Sequence, residues 1–168
     1  IGEITNEAAR ETGLLAGTPV ICGGGDGSCA GVGVGCVAPG TAYNYLGSSS
    51  WVALTVEKPI VDEQRRTMNW AHVVPGMLHP SGTMQAAGSS YNWMINQLCQ
   101  NEQALAAQSG RSVFELIDEQ IIASPIGANK LLFLPYMLGE RTPRWNVDAK
   151  GAFIGLTLGH KHGDMLRA

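Results

Sequence analysis

"TPVICGGGDGSCAGVGVG", residues Thr18 to Gly35, is the stretch on which the fold turns. Its apolar start, "TPVIC", has the length and β-branched content of a short buried strand. Three consecutive glycines follow, Gly23 to Gly25, and then a run of small residues that reads as a helix from about Gly27 to Gly35. Strand, glycine turn and helix form a unit of a mixed α/β domain, in which loops at strand ends carry the chemistry. Asp26 is out of place in such a turn if the ligand is an anion, because the carboxylate repels what the free N–H groups attract. A dinucleotide-binding reading of "GDGSCA" as G-x-G-x-x-A fails for that reason. It also lacks the acidic residue needed about 20 positions on for the ribose, since Gly27 to Val56 contains no Asp or Glu. The reading that remains makes Asp26 a general base at the mouth of a cleft, taking the proton from a hydroxyl that attacks a phosphoryl group.

Composition agrees with a soluble protein that buries a sizeable core. The 168 residues are 45% hydrophobic and 15% charged, with a net charge of -3 and no long Lys/Arg run. The length fits about one domain, and the charge pattern excludes a phosphate-backbone tracker, so nucleic acid is not an expected partner. No apolar run reaches the roughly 18 residues of a membrane span, and no leader pattern is visible; a soluble, cytoplasmic protein without a membrane partner is expected. Cys22, Cys29, Cys36 and Cys99 form no C-x-x-C pair and read as small buried hydrophobes rather than zinc ligands. His160 and His162, in "GHKHGD", read as a solvated loop, and no metal-ligating residues are assigned. There is no initiator Met, and "GDMLRA" opens a helix that the chain end cuts after one turn; the expectation is a piece of a longer protein.

Further elements follow from spacing. Thr5 caps a helix to about Glu11, ended by "TG". "APG" at Ala38–Gly40 marks a boundary. "TAYNYLG" and "SWVALTV" flank a Gly-Ser-Ser turn and predict a hairpin over Thr41–Val56, and "MNWAHVVPGMLHPSGTMQAAG" predicts a second one turning at "PGM". Tyr91, Met94, Ile95 and Leu98 have the spacing of an amphipathic helix from Ser89 to Leu98. Ser112 and Glu115 match a capping box ahead of a stripe formed by Phe114, Ile117 and Ile121. "LLFLPY" reads as a buried strand, "MLGERTPRWNVDAK" as a long polar loop in which Arg141 and Glu140 read as a structural ion pair ahead of Arg141 as a substrate clamp, and "GAFIGL" as a last strand. Gly47, Ser48 and Ser49 have the composition of an anion-binding nest, and Gly88 opens a helix whose N-terminus can hold a second phosphate; taken singly each reads first as a plain β-turn or helix cap, and only the combination points to a phosphate site.

Together "GGGDGSCAGVGVG", "YLGSSS", "FLPYMLGERTPRWNVDAKGAFIGLTLGH" and "GDMLRA" resemble the FGGY family of carbohydrate kinases, and within it are most similar to xylulokinases. The resemblance spans nearly the whole chain. It implies an actin-like, ribonuclease-H-like α/β ATPase fold of two domains around a cleft, with residues 1–37 ending the first domain and residues 38–168 forming most of the second, nucleotide-side domain. It implies ATP and Mg²⁺, a sugar substrate (D-xylulose, with ribulose, gluconate or glycerol as alternatives), and a homodimer among the allowed assemblies; the piece alone would be inactive. Residue by residue, Asp26 matches the family's base and contacts the sugar. Ser48, within the Gly47–Ser49 turn, matches a position that is usually threonine and contacts the terminal phosphate. Gly88 and Asn92 match positions on the nucleotide side. Gly27 departs from the family, which usually has Asn or Gln there to hold a sugar hydroxyl; that departure is the one feature favouring a non-catalytic, actin-like binding module.

Overall fold

A computed structural model describes residues 1–168. The chain opens with β1 (Gly2–Glu3), α1 (Asn6–Thr12) and β2 (Pro19–Val20), then α2 (Asp26–Gly33). Thr5 caps α1 through its hydroxyl, which accepts from the Ala8 N–H at 3.1 Å, and Gly13 closes it. The predicted buried strand is shorter and more exposed than its composition implies. Only Pro19 and Val20 are paired, to Glu3 and Gly2, and Ile21 is 82% exposed, since two residues of β1 are all that this segment pairs with.

The centre is an antiparallel sheet of β3 (Ala42–Leu46), β4 (Ser50–Leu54), β5 (Met68–Ala71) and β6 (Leu78–Met84), ordered β3-β4-β6-β5. Both predicted hairpins are present. The first turns at Gly47–Ser49 with Leu46 opposite Ser50, and the second turns through Val74–Met77. Because side chains alternate along a strand, the register puts Tyr43, Trp51, Met68, Trp70, His79, Ser81 and Thr83 on one face. Helix α2 lies across that face. Ser28 donates to the Ala71 carbonyl at 2.6 Å, and Gly31 comes so near the sheet that a Cβ there would stand 3.2 Å from the Tyr43 ring.

A second layer follows: α3 (Gly88–Leu98), α4 (Gln100–Ser109), α5 (Val113–Ala123), the β7 (Leu132–Leu134) and β8 (Ala152–Ile154) ribbon, and α6 (His162–Arg167). Its core is Met94, Ile95, Cys99, Ile117 and Leu166, with Tyr91, Val113 and Ile121 packed around it. Burying such side chains stabilises the layer by about 1.5–3 kcal/mol each. The predicted stripes are right at Met94, Ile95 and Ile117 and wrong at their edges: Phe114 is 49% exposed and Leu116 is buried in its stead. Ser112 caps α5, accepting from Phe114 N–H, whereas Glu115 pairs with Arg111 and completes no capping box. α4 was not anticipated. Of the cysteines only Cys36 and Cys99 are buried. His162 is no solvated loop residue either, since it starts α6 with Nδ1 3.1 Å from Gln120 Oε1. No helix is long and apolar enough to cross a membrane.

Candidate active site

A cavity of about 490 Å³ opens between the start of α2, the sheet face below it and the loop after β7; Asp26, Gly27, Ser49, Trp70, Gln85 and Arg141 are among the residues lining it. Asp26 is the first residue of α2, six positions beyond the end of β2 rather than at a strand end, and its side chain is exposed and forms no ion pair. One carboxylate oxygen, Oδ1, accepts from the Gly27 N–H at 2.9 Å. That bond orients the group and leaves Oδ2 facing solvent space.

The start of α2 is anchored from below. The Tyr43 hydroxyl donates to the Gly27 carbonyl, accepts from Trp51 Nε1 at 3.0 Å, and lies 3.2 Å from His79 Nε2. With the hydroxyl hydrogen committed to Gly27, the geometry assigns the proton of His79 to Nε2. Its Nδ1 is buried without a partner. Burial first, and the neighbouring His72 second, push the His79 imidazolium pKa down, which keeps the ring neutral. Sequence reasoning passed over this cluster. Its signal was the alternation of aromatic residues on one face of the predicted hairpin.

The Gly47–Ser49 turn is used differently from a simple nest. Gly47 N–H donates back to the Ser49 carbonyl at 2.8 Å, so only the N–H groups of Ser48 and Ser49 remain without partners in the chain. Ser49 lines the cavity, whereas Ser48 is exposed with its hydroxyl unbonded. The N-terminus of α3 is not the open phosphate site expected of it. Gly88 N–H donates to the Gly47 carbonyl at 2.9 Å, and Ala87 and Ser89 N–H donate to the Ser48 carbonyl at 3.0 Å each. Asn92 is exposed one turn into that helix.

The expected Glu140–Arg141 ion pair is absent. Glu140 is 4% exposed and its carboxylate accepts from the backbone N–H of Arg141 at 2.8 Å and of Gln85 at 3.4 Å, while Arg141 Nε donates to Gln85 Oε1 at 2.9 Å. Adjacent side chains of an extended loop diverge, which sequence adjacency conceals.

The chain gathers no group of three His, Cys, Asp or Glu around one point, and Asp26 is the sole carboxylate lining the cavity. This donor set does not fit a magnesium ion held by side chains, which favours octahedral oxygen ligands.

A family model described as the FGGY family of carbohydrate kinases, C-terminal domain, matches residues 42–168. The chain belongs to that family. It is 36% identical to a xylulose kinase from Staphylococcus epidermidis over 169 aligned residues, covering all of this chain and 32% of the relative. It is 31% identical to a gluconokinase from Bacillus subtilis, covering 96% of this chain and 31% of that one. Among solved structures, the xylulose kinase from Rhodospirillum rubrum superposes with a TM-score of 0.79 at 33% identity, over 99% of this chain and 31% of that one. The chain therefore spans about a third of the length of these relatives. The FGGY assignment makes the fold part of the actin-like, ribonuclease-H-like α/β ATPase architecture.

Proposed function

We propose that this FGGY chain carries the catalytic base and part of the phosphate site of an ATP-dependent sugar kinase, with residues 1–37 ending the first domain of the full-length protein and residues 38–168 forming most of its second. The carrying observation is Asp26: an exposed carboxylate without an ion-pair partner, held through one oxygen only, at the edge of a cavity that Ser49 of the Gly47–Ser49 turn also lines. The sugar hydroxyl gives its proton to Asp26 Oδ2 as its oxygen attacks the γ-phosphorus of ATP. A new O–P bond forms, the bond to the β–γ bridging oxygen breaks, and ADP leaves with the electron pair. Ser48 and Ser49 donate to the terminal phosphate. Gly88 and Asn92 lie on the nucleotide side, Gly88 by letting α3 start against the Gly47 carbonyl. Magnesium, when bound with ATP, offsets phosphate charge; no residue of this chain is assigned to it.

The names of the relatives include xylulose kinase, gluconokinase and autoinducer-2 kinase. A ketopentose, D-xylulose, is the proposed substrate, supported by the 36% identity to a xylulose kinase against 31% to a gluconokinase, and the cytoplasm, where ATP is available, is the proposed location. Gly27 leaves the sugar without a side-chain contact at that position. The test uses the full-length protein with D-xylulose, ribulose, gluconate and glycerol as acceptors, beside its Asp26→Asn variant. Loss of the base lowers kcat by about 10²–10⁴-fold with ADP affinity unchanged; a near-normal kcat for Asp26→Asn refutes the reading.

A further inference from the structure

Arg141 is the only cationic side chain lining the cavity, as Asp26 is the only anionic one. The residues on either side of it are locked down. Thr142, fully buried, accepts from the Thr83 N–H at 2.7 Å, and the Glu140 carboxylate is occupied by the backbone N–H groups of Arg141 and Gln85. The loop is thus fixed to β6 by position 142 and to Gln85, the residue after β6, by position 140, and position 141 between them lines the cavity. Its guanidinium belongs to no ion pair. Nε is held by Gln85 Oε1 at 2.9 Å, which sets the plane of the group and leaves both Nη nitrogens without partners.

The strand register says which end of the cavity this is. Trp51 pairs with Thr83 and Ser50 with Met84, so one further step places Ser49 opposite Gln85. Arg141 therefore stands beside the turn whose Ser48 and Ser49 N–H groups lack partners. A fixed guanidinium and the free Ser49 N–H at one end of the cavity, with the free Ser48 N–H in the adjoining turn, supply donors for an anion with several oxygens. A neutral sugar gives no reason for an unpaired cation there.

We propose that Arg141 binds the phosphoryl group in transit, its Nη donors contacting the equatorial oxygens while Asp26 takes the hydroxyl proton. The proposal rests on the phosphotransfer reading above. Arg141 gives up no proton and forms no bond; it stabilises charge that is largest in the transition state.

The experiment compares Arg141→Met, Arg141→Lys and Asp26→Asn in the full-length protein, measuring kcat, KM for sugar, ADP affinity, thermal midpoint, and inhibition by ADP with aluminium fluoride, a mimic of the transferring phosphoryl group. Arg141→Met should lower kcat by about 10²–10³-fold, the effect of removing one preorganised donor. It should also lose the extra inhibition by aluminium fluoride, while KM for sugar, ADP affinity and the thermal midpoint stay near those of the unchanged protein. Arg141→Lys should recover part of kcat, because a point charge replaces a fork. The proposal is overturned by an unchanged kcat in Arg141→Met, by a raised sugar KM at constant kcat, or by a thermal midpoint and ADP affinity that fall together with kcat. A slow Asp26→Asn beside a normal Arg141→Met defeats this inference alone; a normal Asp26→Asn defeats the phosphotransfer reading and the inference with it.

Discussion

Tyr43→Phe removes one oxygen atom and with it the joint between the sheet and the start of α2. The hydroxyl serves three groups, the Gly27 carbonyl, Trp51 Nε1 and His79 Nε2, and the variant leaves each without that partner. A buried polar group so orphaned costs about 1–3 kcal/mol. His79 is buried but Gly27 and Trp51 are only part-buried and within reach of water, so a total of about 2–3 kcal/mol is expected in place of the sum. The consequence for catalysis is indirect. Gly27 both neighbours Asp26 and donates to its Oδ1, so a looser Gly27 lets the carboxylate wander. A loss of about 1.4 kcal/mol in its placement is tenfold in kcat. The assay is a cycle in the full-length protein: kcat and denaturation midpoint for Tyr43→Phe, Asp26→Asn and the double variant. Tyr43 acts through Asp26, so Tyr43→Phe should slow the unchanged enzyme and add nothing to the loss in Asp26→Asn. An equal loss in both backgrounds, or a Tyr43→Phe enzyme with normal kcat, refutes this account.

Ser48→Ala should leave stability unchanged, because the Ser48 hydroxyl has no partner within the chain and its backbone carbonyl does the bonding to α3. Losing a hydrogen bond to a charged phosphate oxygen should cost about 1.5–3 kcal/mol, read as a fall in kcat/KM for ATP at saturating sugar with the sugar KM unchanged. Gly88→Ala should act on both stability and nucleotide use. Its Cβ would stand 2.5 Å from the Gly47 carbonyl oxygen, a backbone atom that cannot rotate away. Overpacking of this kind costs about 1–3 kcal/mol, so the thermal midpoint should fall and the KM for ATP rise; an unchanged midpoint would show that the turn yields freely.

The elements that could be read from sequence are those in which local chemistry and tertiary environment agree. Thr5 and Ser112 cap helices in any context, and the β-rich runs around Gly47–Ser49 and Val74–Met77 can only fold back on themselves. α4 escaped because "QNEQALAAQS" has no apolar stripe and no buried residue; good helix formers and polar ties such as Gln120 Nε2 to Glu102 Oε1 and Gln103 Nε2 to the Ile95 carbonyl hold it, and periodicity is silent about both. "VIC" at Val20–Cys22 misled in the other direction, since apolar character was taken for burial and Ile21 and Cys22 are exposed. At the site, Asp26 stood out as a charge among glycines. Arg141 did not, because its environment is set by Gln85, 56 positions away.

The same distance argument explains why the carboxylate can be placed at all. Helix α2 has eight residues, three of them glycine, well short of the roughly 12–15 residues at which an isolated helix becomes marginally stable. It exists because the sheet holds it: Tyr43 at Gly27, Ser28 at the Ala71 carbonyl, and Gly31 packed against the Tyr43 ring. Gly31, one of the glycines that weaken the helix, is the one that lets it lie this close. The sheet face that supports α2 also carries Thr83, which receives the loop bearing Arg141, and β4 of that sheet begins at the Ser48–Ser49 turn. Base, phosphate turn and cation are therefore referenced to one rigid surface. A substitution at the face, such as Tyr43→Phe, disturbs the relation between these groups, whereas substitutions in the α3, α5 and α6 core act on stability without choosing among them.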